Sequence, residues 1–148
     1  MRKPLVVVPA DRPRPLGVVG EHITVLASGA ETGSYEVFHQ SGPAGSGPPP
    51  HAHDWDEAFY VTRGSIRFGI GDQELTATPG TFVHLPAGTM HWFRFGPDGG
   101  EMVSLTSREG ASRMFAEFDR EIAPDRPDLG KLMEIAGRHG LTVAPPPG

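Results

Sequence analysis

The spacing of two histidines and a glutamate constrains this chain more than any other feature. His51 and His53 are two positions apart, and Glu57 follows four residues later. On an extended strand alternate side chains leave from the same face, so the two imidazoles point to one place. Residues 54–56 are typical of a turn, and the apolar run 58–61 indicates that Glu57 opens the next strand. The sequence therefore predicts a metal site between two strands.

A second cluster adds a third histidine. Residues 81–85 and 90–95 have the composition of strands, and Pro86-Ala87-Gly88 between them indicates a turn. His91 lies at the start of the second strand. This cluster supplies an imidazole that the first one lacks.

The two clusters together resemble the paired motifs of the cupin superfamily. The second cluster departs from the family pattern at Phe95, where the family often has Asn, but this position is not a ligand position. Residues 65–79 separate the motifs, which is the short spacer typical of small, single-domain bacterial cupins. The positions that match the fixed positions of the family pattern are Gly45, His51, His53, Glu57 and Gly64 in the first motif, and Gly80, Pro86, Gly88 and His91 in the second.

The resemblance implies an all-β fold, a cupin jelly-roll β-barrel, with one divalent metal ion inside it. It implies that the metal ligands are His51, His53, Glu57 and His91. The alternative is a barrel that is retained after the metal has been lost, and the complete set of four ligands favours the metal. Such donors accept Fe, Mn, Ni, Co, Cu or Zn, so the ligand types do not select the ion. Four protein ligands would leave an octahedral ion two free positions, as in a catalytic site.

Composition excludes several classes of protein. The 148 residues fit one domain, and 37% hydrophobic with 21% charged residues is typical of a globular protein. A formal charge of -5 argues against nucleic acid or an anionic membrane as partner. The absence of cysteine removes disulfides and thiolate ligands, and it fits a cytoplasmic location. The 20 glycines and 16 prolines suit a barrel with many turns.

The chain divides into three predicted parts. Residues 1–15 form an N-terminal edge strand, Leu5–Val8, with a lead-in rich in Pro and Arg. Residues 16–110 form the barrel, in which Arg63-Gly64-Ser65 is a turn and Pro97–Gly100 a hairpin loop. Residues 111–148 form a helical extension and a tail rich in Pro. Helical spacing of the apolar residues predicts two short α-helices there, one after Gly110 and one from about Asp128 to His139, before a loose tail from Thr142.

Period-two counting places four apolar residues on the inner face. Phe59 and Val61 have the same parity as Glu57, and Phe93 and Phe95 the same parity as His91. These four residues are candidates for a substrate wall. The alternative is that they fill the barrel, and the residues nearest the ligands are the better candidates for the wall.

Among cupins, the aromatic pocket and the helical extension look most like the quercetin-dioxygenase-like proteins. In that interpretation the metal binds an enol or phenol oxygen of an aromatic or polyketide-like small molecule, and Glu57 removes its proton. One alternative is a non-oxidative, metal-dependent isomerase, cyclase, decarboxylase or lyase. Another is a non-catalytic small-molecule-binding or regulatory cupin. We also expect a homodimer in which Leu5–Val8 joins the sheet of the partner.

Overall fold

The computed structural model describes residues 2–144 of the chain. Within this range the fold is mostly β-structure, followed by two amphipathic helices and a short final strand. The elements are a 3-10 helix at Pro9–Asp11, β1 (Leu16–Val18), β2 (Glu21–Ala27), α1 (Gly29–Thr32), β3 (Tyr35–Gly42), β4 (His51–Ala52), β5 (Glu57–Ile70), β6 (Gln73–Ala77), β7 (Phe82–Leu85), β8 (His91–Ser107), α2 (Gly110–Glu121), α3 (Leu129–Arg138) and β9 (Thr142–Val143).

The strands form one antiparallel sheet that curls into a jelly-roll barrel. Hydrogen bonding follows the order β1, β2, β3, β8, β4, β9, and β5 pairs with β6, β7 and β8. The two long strands pair twice: the first part of β5 lies beside the last part of β8, and the last part of β5 lies beside the first part of β8. Each long strand therefore contributes to both halves of the barrel, and the sheet must bend between them.

The bend is located around Gly64. The register of β5 against β8 shifts between Val61 and Arg63 and again between Gly64 and Ile66. Gly64 has a φ of 71°, and a Cβ there would lie 2.3 Å from the carbonyl oxygen of Gly99. A side chain is excluded at that distance, so only glycine allows the two strands to approach closely here.

Two turns of the predicted barrel are irregularities within long strands. Residues 63–65 were expected to be a turn and 97–100 a hairpin loop, but β5 and β8 run through these positions without interruption. The two stretches face each other, with Gly64 opposite Gly100, so their bulges match. Turn-type residues at a bulge and at a hairpin look alike in sequence, because both need the left-handed backbone region.

Both ends of the chain also differ from expectation. Leu5–Val8 form no strand within residues 2–144, and the side chains of Leu5, Val6 and Val8 are largely exposed. The expected loose tail begins instead with a strand, because Thr142 and Val143 pair with β4. The rest of the predicted tail, residues 145–148, lies outside the described part of the chain.

The two predicted C-terminal helices are confirmed. In α2, Met114 and Phe118 are buried. The N-cap of α3 is Asp128, whose side chain accepts a hydrogen bond from the Lys131 backbone N–H at 3.0 Å. The helix α3 ends at His139, as the sequence predicts. None of the helices in the described range is long and apolar enough to cross a membrane.

Apolar side chains pack in two clusters. One fills a half of the barrel around Phe59 and Phe68. The other joins β1, β2 and β3 to both C-terminal helices and includes Phe38, Trp55 and Ile135. The helices are therefore part of a core, and they cover the half of the barrel that the first cluster does not fill.

A buried carboxylate fixes the start of α2. Glu36 on β3 has 0% exposed surface. Its two oxygens accept hydrogen bonds from the backbone N–H of Gly29 at 2.8 Å and of Ser112 at 2.9 Å. These donors lie at the first turns of α1 and α2, where backbone N–H groups have no partner within the helix. One side chain thus anchors two helices to the sheet.

Candidate metal centre

Three buried histidines meet at one point on the inner face of the barrel. His51 lies in β4, His53 follows β4, and His91 is the first residue of β8. The antiparallel register places His51 opposite His91, with ring centroids 4.2 Å apart. One nitrogen from each of the three rings lies within 4.8 Å of the others, which is the separation that a shared metal ion requires. The three histidines of the two sequence motifs are therefore brought together.

Each imidazole is oriented by a backbone carbonyl. The Nδ1 atoms lie 2.8 Å from the Pro49 oxygen for His51, 3.0 Å from the Trp55 oxygen for His53, and 2.8 Å from the Thr89 oxygen for His91. A carbonyl only accepts, so each Nδ1 carries the proton and donates it, leaving Nε2 with a free lone pair. Metal-binding histidines are commonly oriented in this way.

The Nε2 atoms of these rings also indicate that a metal ion binds here. Those of His53 and His91 are buried and have no hydrogen-bond partner among residues 2–144. A buried polar atom without a partner costs free energy, so native proteins seldom leave one unless a ligand, ion or water satisfies it. Three converging imidazole lone pairs fit a divalent transition metal ion.

The Glu57 carboxylate faces two of these histidines. Its oxygens lie 3.3 Å from His53 Nε2 and 3.9 Å from His91 Nε2. Since Nδ1 holds the proton of each ring, the carboxylate and the Nε2 atoms are all electron-pair donors, and a cation between them would turn their repulsion into attraction. Burial acts to raise the pKa of Glu57, whereas a hydrogen bond from His53 and positive charge on His53, His91 and His51 act to lower it below its ordinary value, and a bound metal ion would supply that positive charge when the rings are neutral.

Burial also keeps two of the imidazoles neutral. Together with the neighbouring His91, it lowers the pKa of His51 to about 4. Burial likewise lowers the pKa of His91, against the opposing effect of Glu57. A neutral imidazole is the form that binds metal, so these rings need not lose a proton at neutral pH.

Contacts between the turns of the two motifs hold the histidines in place. The His53 carbonyl accepts a hydrogen bond from the Gly88 N–H at 2.8 Å, and Asp56 Oδ1 accepts one from the Ala87 N–H at 2.9 Å. Trp55 stacks on His53 with ring centroids 4.2 Å apart and planes 6° apart. From the sequence, Trp55 is expected only as part of a turn, and this contact is not predicted, although a tryptophan between two aspartates is an unusual turn residue.

His51 and His53 line a cavity in which the centres of water-sized molecules can occupy about 70 Å³. Its wall is mainly apolar, and the C-terminal helices supply Met114, Phe118 and Leu132. Of the four predicted wall residues, Phe93 lines the cavity, whereas Phe59, Val61 and Phe95 lie in the cluster that fills the other half of the barrel. The placement of these three residues favours the alternative of core filling.

The cavity wall also has a polar part, which was not predicted from the sequence. Glu21 and Gln40 line the cavity and are buried, and Gln40 Nε2 donates a hydrogen bond to Glu21 Oε1 at 2.7 Å. Burial raises the pKa of Glu21 to about 8, since the Gln40 hydrogen bond offsets only part of the desolvation. Neither residue has a partner at metal-ligand spacing in the sequence, so no motif could have identified them. The exposed His84, the extra histidine beside the second motif, lies outside this cavity.

Part of the chain is similar to a known family. Residues 38–106 match the family described as Cupin domain. Quercetin 2,3-dioxygenase of Bacillus subtilis (strain 168) is 32% identical over 85 residues, 57% of this chain and 25% of the relative. Acireductone dioxygenase of Trichodesmium erythraeum (strain IMS101) is 38% identical over 53 residues, 32% of this chain and 29% of the relative. The matches thus span under a third of the length of either relative.

Solved structures share the fold. KdgF from Halomonas sp. superposes with a TM-score of 0.66 at 18% identity, covering 72% of this chain and 96% of that one. The polyketide cyclase RemF from Streptomyces resistomycificus superposes with a TM-score of 0.62 at 20% identity, covering 72% and 81%. At these identities the likeness concerns the fold alone. It agrees with the jelly-roll barrel expected from the sequence.

Proposed function

We propose that the chain is a cupin and a metal-dependent enzyme, a dioxygenase that acts on a small molecule bearing an enol or phenol. One observation carries the proposal. Three imidazoles with fixed tautomers meet one carboxylate, and His51, His53 and Glu57 of this group line a mainly apolar cavity. A site that only stabilised the fold would not need a cavity beside it.

His51, His53, His91 and Glu57 would hold one divalent transition metal ion. The ion would act as a Lewis acid on the enol or phenol oxygen and lower the pKa of that group. The backbone carbonyls of Pro49, Trp55 and Thr89 keep the imidazole lone pairs aimed at the ion. The donor set is compatible with Fe, Mn, Co, Ni, Cu and Zn.

Glu57 is the candidate general base. Its carboxylate lies at the cavity wall, and its lowered pKa keeps it ionised and able to accept a proton at either oxygen. The side chain is 11% exposed, the largest exposed fraction in this group of four residues. Glu57 thus combines proximity to the candidate ion with access to the cavity.

The small volume of the cavity limits the size of the substrate. An engineered apolar cavity of about 150 Å³ accommodates benzene. The cavity beside His51 is about half of that volume. A short acyclic enol fits this space, whereas a ring system requires α2 and α3 to move outward. The proposal therefore favours a substrate much smaller than the three-ring quercetin that the name of the Bacillus subtilis relative specifies.

The two curated relatives add support for an oxidative reaction. Both are named as dioxygenases, although the aligned segments cover 25% and 29% of their lengths. Closure by α2 and α3 also suits a reaction in which water must be kept from an activated substrate.

The test is metal analysis followed by oxygen uptake. Protein purified without chelator should contain about one transition metal ion per chain, and a His91→Ala variant should contain much less. His84→Ala is the matched control, because this histidine is exposed and lies outside the cavity. The metal-replete protein is then given 2,4-pentanedione, catechol and quercetin in order of increasing size.

Dioxygen consumption that falls with substrate size supports the proposal. Product formation from the same compounds without dioxygen would replace it with a non-oxidative isomerase or lyase. Binding without any turnover would identify a small-molecule receptor. A protein that retains no metal after incubation with Fe, Mn, Ni or Zn would contradict the proposal at its first step.

A further inference from the structure

Two buried polar side chains form a second group in the cavity beside the histidines. Glu21 opens β2 and Gln40 lies in β3, and their exposed fractions are 3% and 4%. The Gln40 amide donates to Glu21 Oε1 at 2.7 Å. Both side chains line the cavity that His51 and Glu57 also line. The cavity therefore has a polar position in addition to the candidate metal centre.

The Glu21 carboxyl group is paired in an unusual way. Buried glutamates are normally balanced by a cation. Within residues 2–144 the partner of Glu21 is the neutral amide of Gln40, and the nearby charge that affects it is the negative one of Glu57. Both circumstances favour the protonated acid. A protonated acid can donate through its O–H as well as accept, and the Gln40 amide has the same dual capacity.

Two further donors in the wall have no partner. The Oγ1 of Thr106 and the Nε1 of Trp55 are buried and form no hydrogen bond with any of residues 2–144. Both residues line the same cavity. Since buried hydroxyl and indole N–H groups are nearly always hydrogen-bonded, these two point to a ligand or water that presents oxygen atoms. Trp55 stacks on His53 and Thr106 lies opposite Glu57, so these two donors lie beside the candidate metal centre.

We propose that Glu21 and Gln40 form a second subsite, which binds an uncharged hydroxyl or carbonyl group at the end of the ligand away from the metal. The inference rests on the proposed function, in which the other end of the ligand meets the metal. It assigns the ligand to the small, neutral molecules with oxygen at both ends. A carboxylate at the far end is disfavoured, because the Glu57 carboxylate is near and none of the cationic side chains in the described part of the chain pairs with Glu21.

Four hydroxamates test this subsite, because a hydroxamate chelates a metal ion and leaves its chain free to extend. Glycolohydroxamate and propanohydroxamate have the same number of non-hydrogen atoms and differ by a terminal hydroxyl in place of a methyl. 3-Hydroxypropanohydroxamate and butanohydroxamate form the same contrast in a chain longer by one carbon. Affinities are measured by calorimetry on Ni²⁺-loaded protein, so that no turnover is needed.

We expect the hydroxylated member of at least one pair to bind about tenfold more tightly, since it satisfies a buried hydrogen bond that the methyl cannot. Glu21→Gln should keep this preference, because an amide can still donate. The double variant Glu21→Leu/Gln40→Leu should lose it. Replacing both partners with apolar groups avoids leaving one of them unpaired, so this variant should fold.

Three outcomes would overturn the inference, and they differ in what else they affect. Equal binding of the two members of both pairs to the wild-type protein overturns the subsite alone. A preference that survives in the double variant also overturns it, because another group must then be responsible. Failure of all four hydroxamates to bind Ni²⁺-loaded protein overturns the proposed function and the subsite with it.

Discussion

His51 and His91 are held by the same local contact on opposite strands. Each ring donates from Nδ1 to the carbonyl oxygen two residues earlier, that of Pro49 or Thr89, at 2.8 Å in both cases. The register of β4 against β8 then places the two rings directly across from each other. The two free nitrogens are thus positioned by backbone alone and do not depend on side chains elsewhere.

The first prediction concerns these two residues. Because the same backbone contact orients both rings, His51→Ala and His91→Ala should weaken metal binding to a similar extent. The loss should exceed the roughly 10- to 100-fold that removing a supporting hydrogen bond costs. Competition with a chromogenic chelator measures the affinities, with the exposed His84→Ala as control. A normal affinity in either variant would mean that its histidine is not a ligand.

The second prediction separates binding from catalysis at Glu57. Glu57→Gln retains an oxygen that can coordinate but has almost no basicity, so at saturating metal its turnover should remain about 10² to 10⁴ times below that of the wild type. His91→Ala should recover part of its activity when metal is added. The two variants are compared in the oxygen-uptake assay over a range of metal concentrations. Full recovery of Glu57→Gln would make Glu57 a ligand only, and the base would lie elsewhere.

The third prediction follows from the pKa of Glu21, which burial raises to about 8. The folded protein keeps this proton at a pH where the unfolded chain has released it, so the stabilisation is complete at low pH and disappears as the pH rises toward 8. Between pH 6.5 and pH 8 the metal-free protein should lose about 2 kcal/mol relative to Glu21→Gln. Urea unfolding of both proteins measures the difference. Parallel curves would show that Glu21 is ionised in the folded state.

The fourth prediction concerns the anchor of the helices. Glu36→Gln places an amide N–H opposite one of the two backbone donors that the carboxylate now accepts, and it removes the charge. We expect a loss of about 2 kcal/mol or more in the free energy of unfolding, together with faster hydrogen exchange in α2. Glu109→Gln is the control, because its pair with Arg113 is exposed and should change stability by under about 0.5 kcal/mol. An equal loss of stability in the two variants would show that Glu36 does not anchor the helices.

The features that could be predicted from the sequence depend on the spacing of residues close together in the chain. The spacing of His51, His53 and His91 with turn residues between them specified strands, a turn and a shared inner face, because these follow from the period of a strand. The helices were predictable for a similar reason, since Met114 and Phe118 repeat at helical spacing. Such patterns need no knowledge of what lies across the sheet.

What the sequence could not predict depends on strand register. Glu21 and Gln40 meet because β2 pairs with β3 such that Ile23 lies opposite Gln40. Nothing in the local sequence marks either residue, and a shift of one residue in the pairing would point Gln40 outward. The helix anchor Glu36 was missed for the same reason: its donors, Gly29 and Ser112, belong to two other elements.

The fifth prediction concerns assembly. Leu5, Val6 and Val8 are 46%, 80% and 47% exposed, which is unfavourable for three apolar side chains in one short segment. We expect these residues to be covered by a second copy of the chain in a homodimer. Light scattering should find a dimer for the full chain and a monomer for a variant that begins at Asp11. An unchanged dimer would place the interface elsewhere.

The position of β4 affects the order in which the native structure is completed. This two-residue strand has its neighbours in β8 and β9, which come much later in the chain. Large loops must therefore close before His51 and His91 lie opposite each other and the ligand set is complete. An ion that binds only the completed set stabilises the native state but not the transition state for folding. It would slow unfolding and leave the folding rate unchanged, so the bound metal would lengthen the half-life of the native state.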